Sequence, residues 1–189
     1  MEIKETGLDG VYIVEPRVFE DERGYFFESF SQRDFDDATM KLMGRTFRFV
    51  QDNESKSSYG VIRGLHYQRM PFTQTKLVRC VCGSVLDVAV DIRKGSPTFG
   101  KHVAVELSGT NHRQLLICKG FAHGFSVLSE TAVFQYKCDD FYHPESEGGI
   151  YLADPSLNID WRIPAGDAIL SAKDKVRPSI ADLADVLEY

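Results

Sequence analysis

The chain has 189 residues, 43% hydrophobic and 26% charged, an ordinary globular mix sized for one domain that can bury a core without cross-links. Its formal net charge is −6 and its basic residues are dispersed, which excludes a general nucleic-acid binder. Aromatic residues make up 12%, with 13 Phe and 8 Tyr, a bias toward β structure, where rings fit a pleated surface.

The opening MEIKETGLDG is polar and lacks the apolar core of a signal peptide. Strands are expected at Gly10–Glu15 and Tyr25–Phe30, with a turn at Glu22-Arg23-Gly24 between them. A helix over Asp34–Met43 follows Ser31 and carries Phe35, Ala38, Met40 and Leu42. Further strands are expected at Thr46–Asn53 and, after the turn Ser57–Gly60, at Val61–Gln68, Lys76–Cys82 and Val85–Ile92. In the last of these Leu86, Val88, Val90 and Ile92 share one face, opposite Asp87, Ala89 and Asp91. His102–Leu107, Gln114–Cys118, Gly124–Leu128 and Ala132–Cys138 complete the strand series, and Pro178–Leu187 reads as a helix opened by proline. The pattern is mostly β, an antiparallel barrel or double-sheet sandwich, with a barrel core over roughly 45–140 and a helical segment over roughly 165–189.

No β-α-β alternation, G-x-G-x-x-G or G-x-x-x-x-G-K-[ST] loop is present, so a bound nucleotide must be held by side chains. No stretch approaches the ~18 apolar residues of a membrane-spanning helix. The four cysteines, Cys80, Cys82, Cys118 and Cys138, form no C-x-x-C pair and read as free thiols of a reducing compartment, hence a cytoplasmic protein.

Among five histidines, His66 in RGLHYQ and His123 in GFAHGF are flanked by Gly and apolar residues within strands. Such surroundings keep an imidazole neutral and basic near neutral pH, although a lone strand histidine is as a rule a satisfied structural residue. No H-x-H pair offers the usual metal-binding pattern of a small β-barrel, so a metal is not expected. Tyr136 in FQYK lies mid-strand, either a core residue with its hydroxyl at a boundary or a proton donor. Lys76 opens a strand, either at a solvent edge or as a rare inward charge, and Arg23, Arg63, Arg79 and Lys173 are candidate phosphate contacts.

Taken together, FEDERGYFFESF (Phe19–Phe30), FVQDNESKSSYGVIRGLHYQ (Phe49–Gln68), KLVRCVCGSVLDVAVDIRKGSPTFG (Lys76–Gly100), GFAHGF (Gly120–Phe125), FQYK (Phe134–Lys137), PSLNIDW (Pro155–Trp161) and LSAKD (Leu170–Asp174) are far more specific. From about Val11 to about Asp182 the chain resembles the dTDP-4-dehydrorhamnose 3,5-epimerase family. The resemblance implies a cupin-like antiparallel jelly roll, a homodimer, and inversion of C3 and C5 of a dTDP-linked 4-keto-6-deoxyhexose in dTDP-L-rhamnose or related deoxysugar biosynthesis. It implies no cofactor and no metal. By position, His66 looks like the general base, Asp174 its orienting partner, Tyr136 the acid on the opposite face, and Lys76 the cation that stabilises the enolate oxygen. Arg63 is similar to the family's phosphate-binding arginine. Arg23, Glu28, Gln51, Asp52, Asn53, His123, Glu147 and Lys173 match positions lining the nucleotide-sugar site.

Arg63 and His66 have opposite parity, so a regular strand would send them to opposite faces; a bulge at Gly64 is expected to bring both to one cavity. The chain departs from the family pattern at Pro71–Thr75, at Cys118-Lys119 and at Asp139-Asp140. These departures leave a single-site epimerase as the nearest alternative. A non-catalytic nucleotide-sugar-binding cupin is the alternative of a different class, and an opposed acid and base argue against it.

Overall fold

The computed structural model describes residues 1–183 and the backbone of Leu187 and Glu188. In chain order the strands are β1 (Glu2–Glu5), β2 (Val11–Glu15), β3 (Phe19–Asp21), β4 (Gly24–Phe26), β5 (Gln51–Ser58), β6 (Ile62–Gln68), β7 (Lys76–Cys82), β8 (Ser84–Asp91), β9 (Arg93–Lys94), β10 (His102–Ser108), β11 (Gln114–Ile117), β12 (Phe121–Val127), β13 (Thr131–Cys138), β14 (Glu147–Gly149) and β15 (Leu187–Glu188). One antiparallel sheet has six strands in the order β1-β2-β11-β7-β13-β5, and the facing one has five, β10-β8-β12-β6-β14. They close as the jelly roll expected from the sequence. Between β4 and β5 lies helix α1 (Gln32–Met43), capped by the Ser31 hydroxyl, which accepts from the Asp34 N–H, and ended by Gly44 at φ 67°.

The interior between the sheets is filled at one end by Val78, Cys80, Val85, Leu107, Leu115, Phe125 and Phe134. Strand β8 has an unusual polarity. Leu86, Val88, Val90 and Ile92 point away from the interior, under Ile150, Leu152, Leu157, Trp161 and Ile180. Asp87 and Ala89, fully buried, belong to the inward face. The segment after β14 therefore crosses the outer face of the five-stranded sheet as an apolar strap. Trp161 anchors it, its indole N–H donating to the Leu152 carbonyl at 2.8 Å and its own carbonyl accepting from Ser126 Oγ at 2.7 Å.

Three expected elements differ. The strand expected at Tyr25–Phe30 is a strand only over Gly24–Phe26, because the chain leaves the hairpin to pack Phe30 against Phe35 and Phe49. The strand expected at Thr46–Asn53 begins only at Gln51 and runs on to Ser58, because Phe47 and Phe49 turn aside to pack with Phe30 and Phe35 of the helix cluster. The helix expected over Pro178–Leu187 is one 3-10 turn at Ile180–Asp182, with Leu187–Glu188 paired in parallel to β9, while residues 184–186 lie outside those described. Its backbone groups are committed elsewhere: the Pro178 carbonyl accepts from the Tyr151 N–H at 2.8 Å, and the Ile180 N–H donates to Asp154 Oδ2 at 2.7 Å. Among the described residues no helix is long and apolar enough to cross a membrane.

Candidate active site

The two sheets part at the mouth of the barrel around a cavity of about 840 Å³. Its walls come from opposite sheets: Asp52, Asn53 and Ser55 on β5, Lys76 on β7 and Phe134 and Tyr136 on β13 face Arg63 and His66 on β6 and His123 and Phe125 on β12. The strap closes one side with Ser171, Lys173 and Asp174.

Local irregularity in β6 makes this possible. His66 pairs with His123 and Arg63 with Phe125, so β6 advances three residues while β12 advances two. The extra residue is a bulge, and it brings Arg63 and His66 to the same cavity despite their opposite parity. Gly64 sits in it at φ +120°, where an added Cβ would lie 2.6 Å from Gly124 Cα and 2.7 Å from the His123 carbonyl oxygen. Glycine is required on both grounds.

His66 Nε2 lies 2.6 Å from Oδ1 of the buried Asp174. With the carboxylate accepting from Nε2–H, the imidazole lone pair falls on Nδ1. Burial pushes the His66 pKa below its ordinary value and outweighs the opposing pull of Asp174, so the ring is a neutral base near pH 7. A second pair lies deeper: His123 Nε2 is 2.9 Å from Oδ2 of Asp87, which is fully buried. Each ring is thus taken by its own aspartate, and among the described residues no three His, Cys, Asp or Glu side chains are grouped to hold a metal.

On the facing wall Lys76 and Tyr136 adjoin, the ammonium 5.8 Å from the phenol ring centroid. Among the described residues no carboxylate pairs with Lys76, and burial lowers its pKa. Burial raises that of Tyr136, which keeps the phenol protonated. Arg63 Nε donates to Ser57 Oγ at 3.1 Å, and Lys137 holds Asp52 at 2.9 Å. Glu147 accepts from Tyr142, Lys173 and Arg177. Burial raises its pKa, but these three donors outweigh that and hold it at about 2.

Of the residues singled out from the sequence, His66, Asp174, Tyr136, Lys76, Arg63, Asp52, Asn53, His123, Glu147 and Lys173 line this cavity, and Gln51 lines an adjoining one of about 370 Å³. Arg23, Glu28 and Arg79 do not: the Arg79 guanidinium lies over the Phe27 ring instead, 5.2 Å from its centroid. Arg23 sits on the exposed β3–β4 hairpin paired with Asp21, and Glu28 is exposed beyond it. Asp87, Ser57, Tyr142 and Arg177 were not singled out. For Asp87 the signal was present, as one polar face of an otherwise apolar strand, but β8 buries both faces. Ser57 and Tyr142 bond to Arg63 and Glu147 a few positions away but carry no motif of their own, and Arg177 acts through Glu147, 30 positions away.

Residues 5–182 match the family model described as dTDP-4-dehydrorhamnose 3,5-epimerase. A protein of that description from Shigella flexneri is 56% identical over 174 residues, spanning 92% of this chain and 93% of the relative. The crystal structure of dTDP-4-dehydrorhamnose 3,5-epimerase from Elizabethkingia anophelis NUHP1 superposes with a TM-score of 0.90 at 54% identity, covering 96% of this chain and 97% of that one. That of dTDP-6-deoxy-D-glucose-3,5-epimerase from Legionella pneumophila Philadelphia 1, in complex with dTDP-4-keto-L-rhamnose, superposes with a TM-score of 0.92 at 50% identity, covering 100% and 98%.

Proposed function

The chain belongs to the dTDP-4-dehydrorhamnose 3,5-epimerase family, and on that premise we propose that it inverts C3 and C5 of a dTDP-linked 4-keto-6-deoxyhexose, on the route to dTDP-L-rhamnose or a related deoxysugar. One observation carries the reading: a neutral His66 held by Asp174 and a protonated Tyr136 line one cavity from opposite sheets. The C3 and C5 protons are both α to the C4 ketone and can be removed in turn. His66 takes a proton through Nδ1 and becomes an imidazolium beside the Asp174 carboxylate. The electron pair moves onto O4, where the Lys76 ammonium meets the enolate charge. Tyr136 returns a proton to carbon from the other wall, which inverts the centre, and the phenolate and imidazolium exchange protons with solvent.

Arg63 and Lys173 meet the diphosphate, and Gln51, Asp52, Asn53, His123 and Glu147 line the nucleotide-sugar site. The 189 residues act as a single domain in a cytoplasmic homodimer. Support for the dimer comes from the β3–β4 hairpin, where Phe19, Tyr25 and Phe26 are 51%, 56% and 67% exposed. Such aromatics are normally covered. Packed on a second copy, the hairpin delivers Arg23 and Glu28 to that copy's site.

Incubation with dTDP-4-keto-6-deoxyglucose in deuterated water tests the proposal. Exchange at both C3 and C5 is expected; exchange at one carbon marks a single-site epimerase, and binding without exchange marks a binding module. His66→Ala is expected to slow exchange by about 10²–10⁴-fold. Tyr136→Phe is expected to spare exchange and impair inversion, and inversion that keeps pace with exchange would assign the acid elsewhere.

A further inference from the structure

We infer that Arg177 is a positioning residue for the His66–Asp174 pair: through the Glu147 carboxylate it locks the turn that carries Asp174 against the strand paired with β6. The inference rests on the function proposed above, which makes His66 the base.

The 3-10 turn Asp174–Val176 is bracketed by Lys173 and Arg177. One oxygen of Glu147, Oε1, accepts from both the Lys173 ammonium and the Arg177 guanidinium, and the other accepts from the Tyr142 hydroxyl at 2.7 Å. Glu147 opens β14, whose register sets Glu147 against Gln68 and Gly149 against His66. The carboxylate therefore ties the turn to the strand beside the base. Backbone ties between this segment and the barrel lie further out. Ile169 bonds to Gly60 and Ile62 at 2.8 and 3.0 Å before the turn, and Pro178 accepts from Tyr151 at 2.8 Å after it. Between them the turn bonds within itself, the Asp174 N–H donating to Ser171 Oγ at 3.1 Å. Among the described residues, Glu147 is thus the anchor for this stretch apart from His66.

The two cations on Glu147 differ. Lys173 is 57% exposed at the cavity and free to turn toward an anionic ligand. Arg177 is 13% exposed and does not line the cavity. Its side chain passes over Gly149, where an added Cβ would lie 2.5 Å from Nε. A glycine in register with His66 thus leaves room for the guanidinium. Arg177 is the permanent part of the clamp, and Lys173 the part shared with ligand.

Kinetics of Arg177→Met and Arg177→Lys, with the His66 imidazole titrated by NMR in the ligand-free full-length protein, test this. Asp174→Asn supplies the reference titration for a ring without its carboxylate. In Arg177→Met the expected result is a kcat lower by about 10–100-fold with KM within about threefold, the signature of a displaced catalytic group. The His66 pKa is expected to fall toward the Asp174→Asn value, with Arg177→Lys intermediate in both. The groups facing His66 are Asp174 from the turn, Lys76 from β7, His123 from β12, Tyr136 from β13, Glu147 from β14 and Arg63 on β6, all unaltered by the two Arg177 substitutions. Loss of a cation alone would raise the His66 pKa, the opposite sign. A raised or unmoved His66 pKa overturns the inference, as does a rise in KM with unchanged kcat, which would make Arg177 a ligand contact. Should Arg177→Met fail to fold, the Arg177→Lys titration decides by the same signs. The titration needs no substrate. If the wild-type protein exchanges neither proton, the proposed function fails while the clamp is still decided.

Discussion

Three side chains set the pH behaviour of the proposed reaction, and their shifts have different consequences. His66 must be neutral to accept a proton, and burial holds its pKa below 6.5. The acidic limb of the exchange rate is therefore expected below that value, with the base form persisting as pH falls. Lys76 must carry its proton and Tyr136 must keep its own. Burial lowers the ammonium from 10.5 and raises the phenol from 10.0, so the alkaline limb is assigned to Lys76. In Lys76→Arg, whose guanidinium keeps its proton, the alkaline limb is expected to move up or vanish, although the planar group slows the reaction. A limb that stays in place in that variant belongs to another group. The separate candidates His66, Lys76 and Tyr136 were legible as residues in strands of suitable character. That Asp174 completes His66 from 108 positions away was legible only through resemblance, because no local pattern records a contact of that separation.

Among the elements, β6 and β5 depart furthest from ideal pattern, and both departures serve the cavity. The bulge in β6 was legible as a conflict of parity between Arg63 and His66 with a glycine between them. Gly64→Ala is expected to destabilise the protein by at least about 2 kcal/mol, since it combines a backbone forced into positive φ with a Cβ driven into Gly124. Exchange activity should fall with it, as β6 is pushed from β12. Thermal unfolding and exchange measured on one preparation check this, and a variant of native stability would mean that β6 can flatten there. Strand β5, QDNESKSS, was only half legible. Gln51, Asn53, Ser55 and Ser57 are the less exposed set, and Asp52, Glu54 and Lys56 alternate with them as the exposed set of an edge strand, with Asp52 and Glu54 still reaching the cavity at its rim. Hydrophobic periodicity finds strands that bury apolar side chains, and β5 buries almost none.

For the whole molecule, the exposed aromatics of the β3–β4 hairpin separate a dimer from a monomer. Gel filtration at low concentration is expected to give a dimer, and Phe26→Glu in that hairpin to give a monomer with much reduced activity because Arg23 and Glu28 no longer reach a second site. A stable, fully active monomer would count against both points. The strap over the outer face of β8 has an effect in time as well as in space. Asp174 lies beyond Trp161 in the same strap, so its seat against His66 is expected to form together with the docking of Trp161 on the five-stranded sheet. Loop closure over such a separation comes late in the ordering of a chain. The protein's one tryptophan lies in that segment, so its emission is expected to follow the docking that completes the base. A refolding barrel whose walls form before the strap docks is expected to be catalytically silent, with turnover returning no earlier than the shift in Trp161 emission; turnover that recovers ahead of that shift would separate the two events.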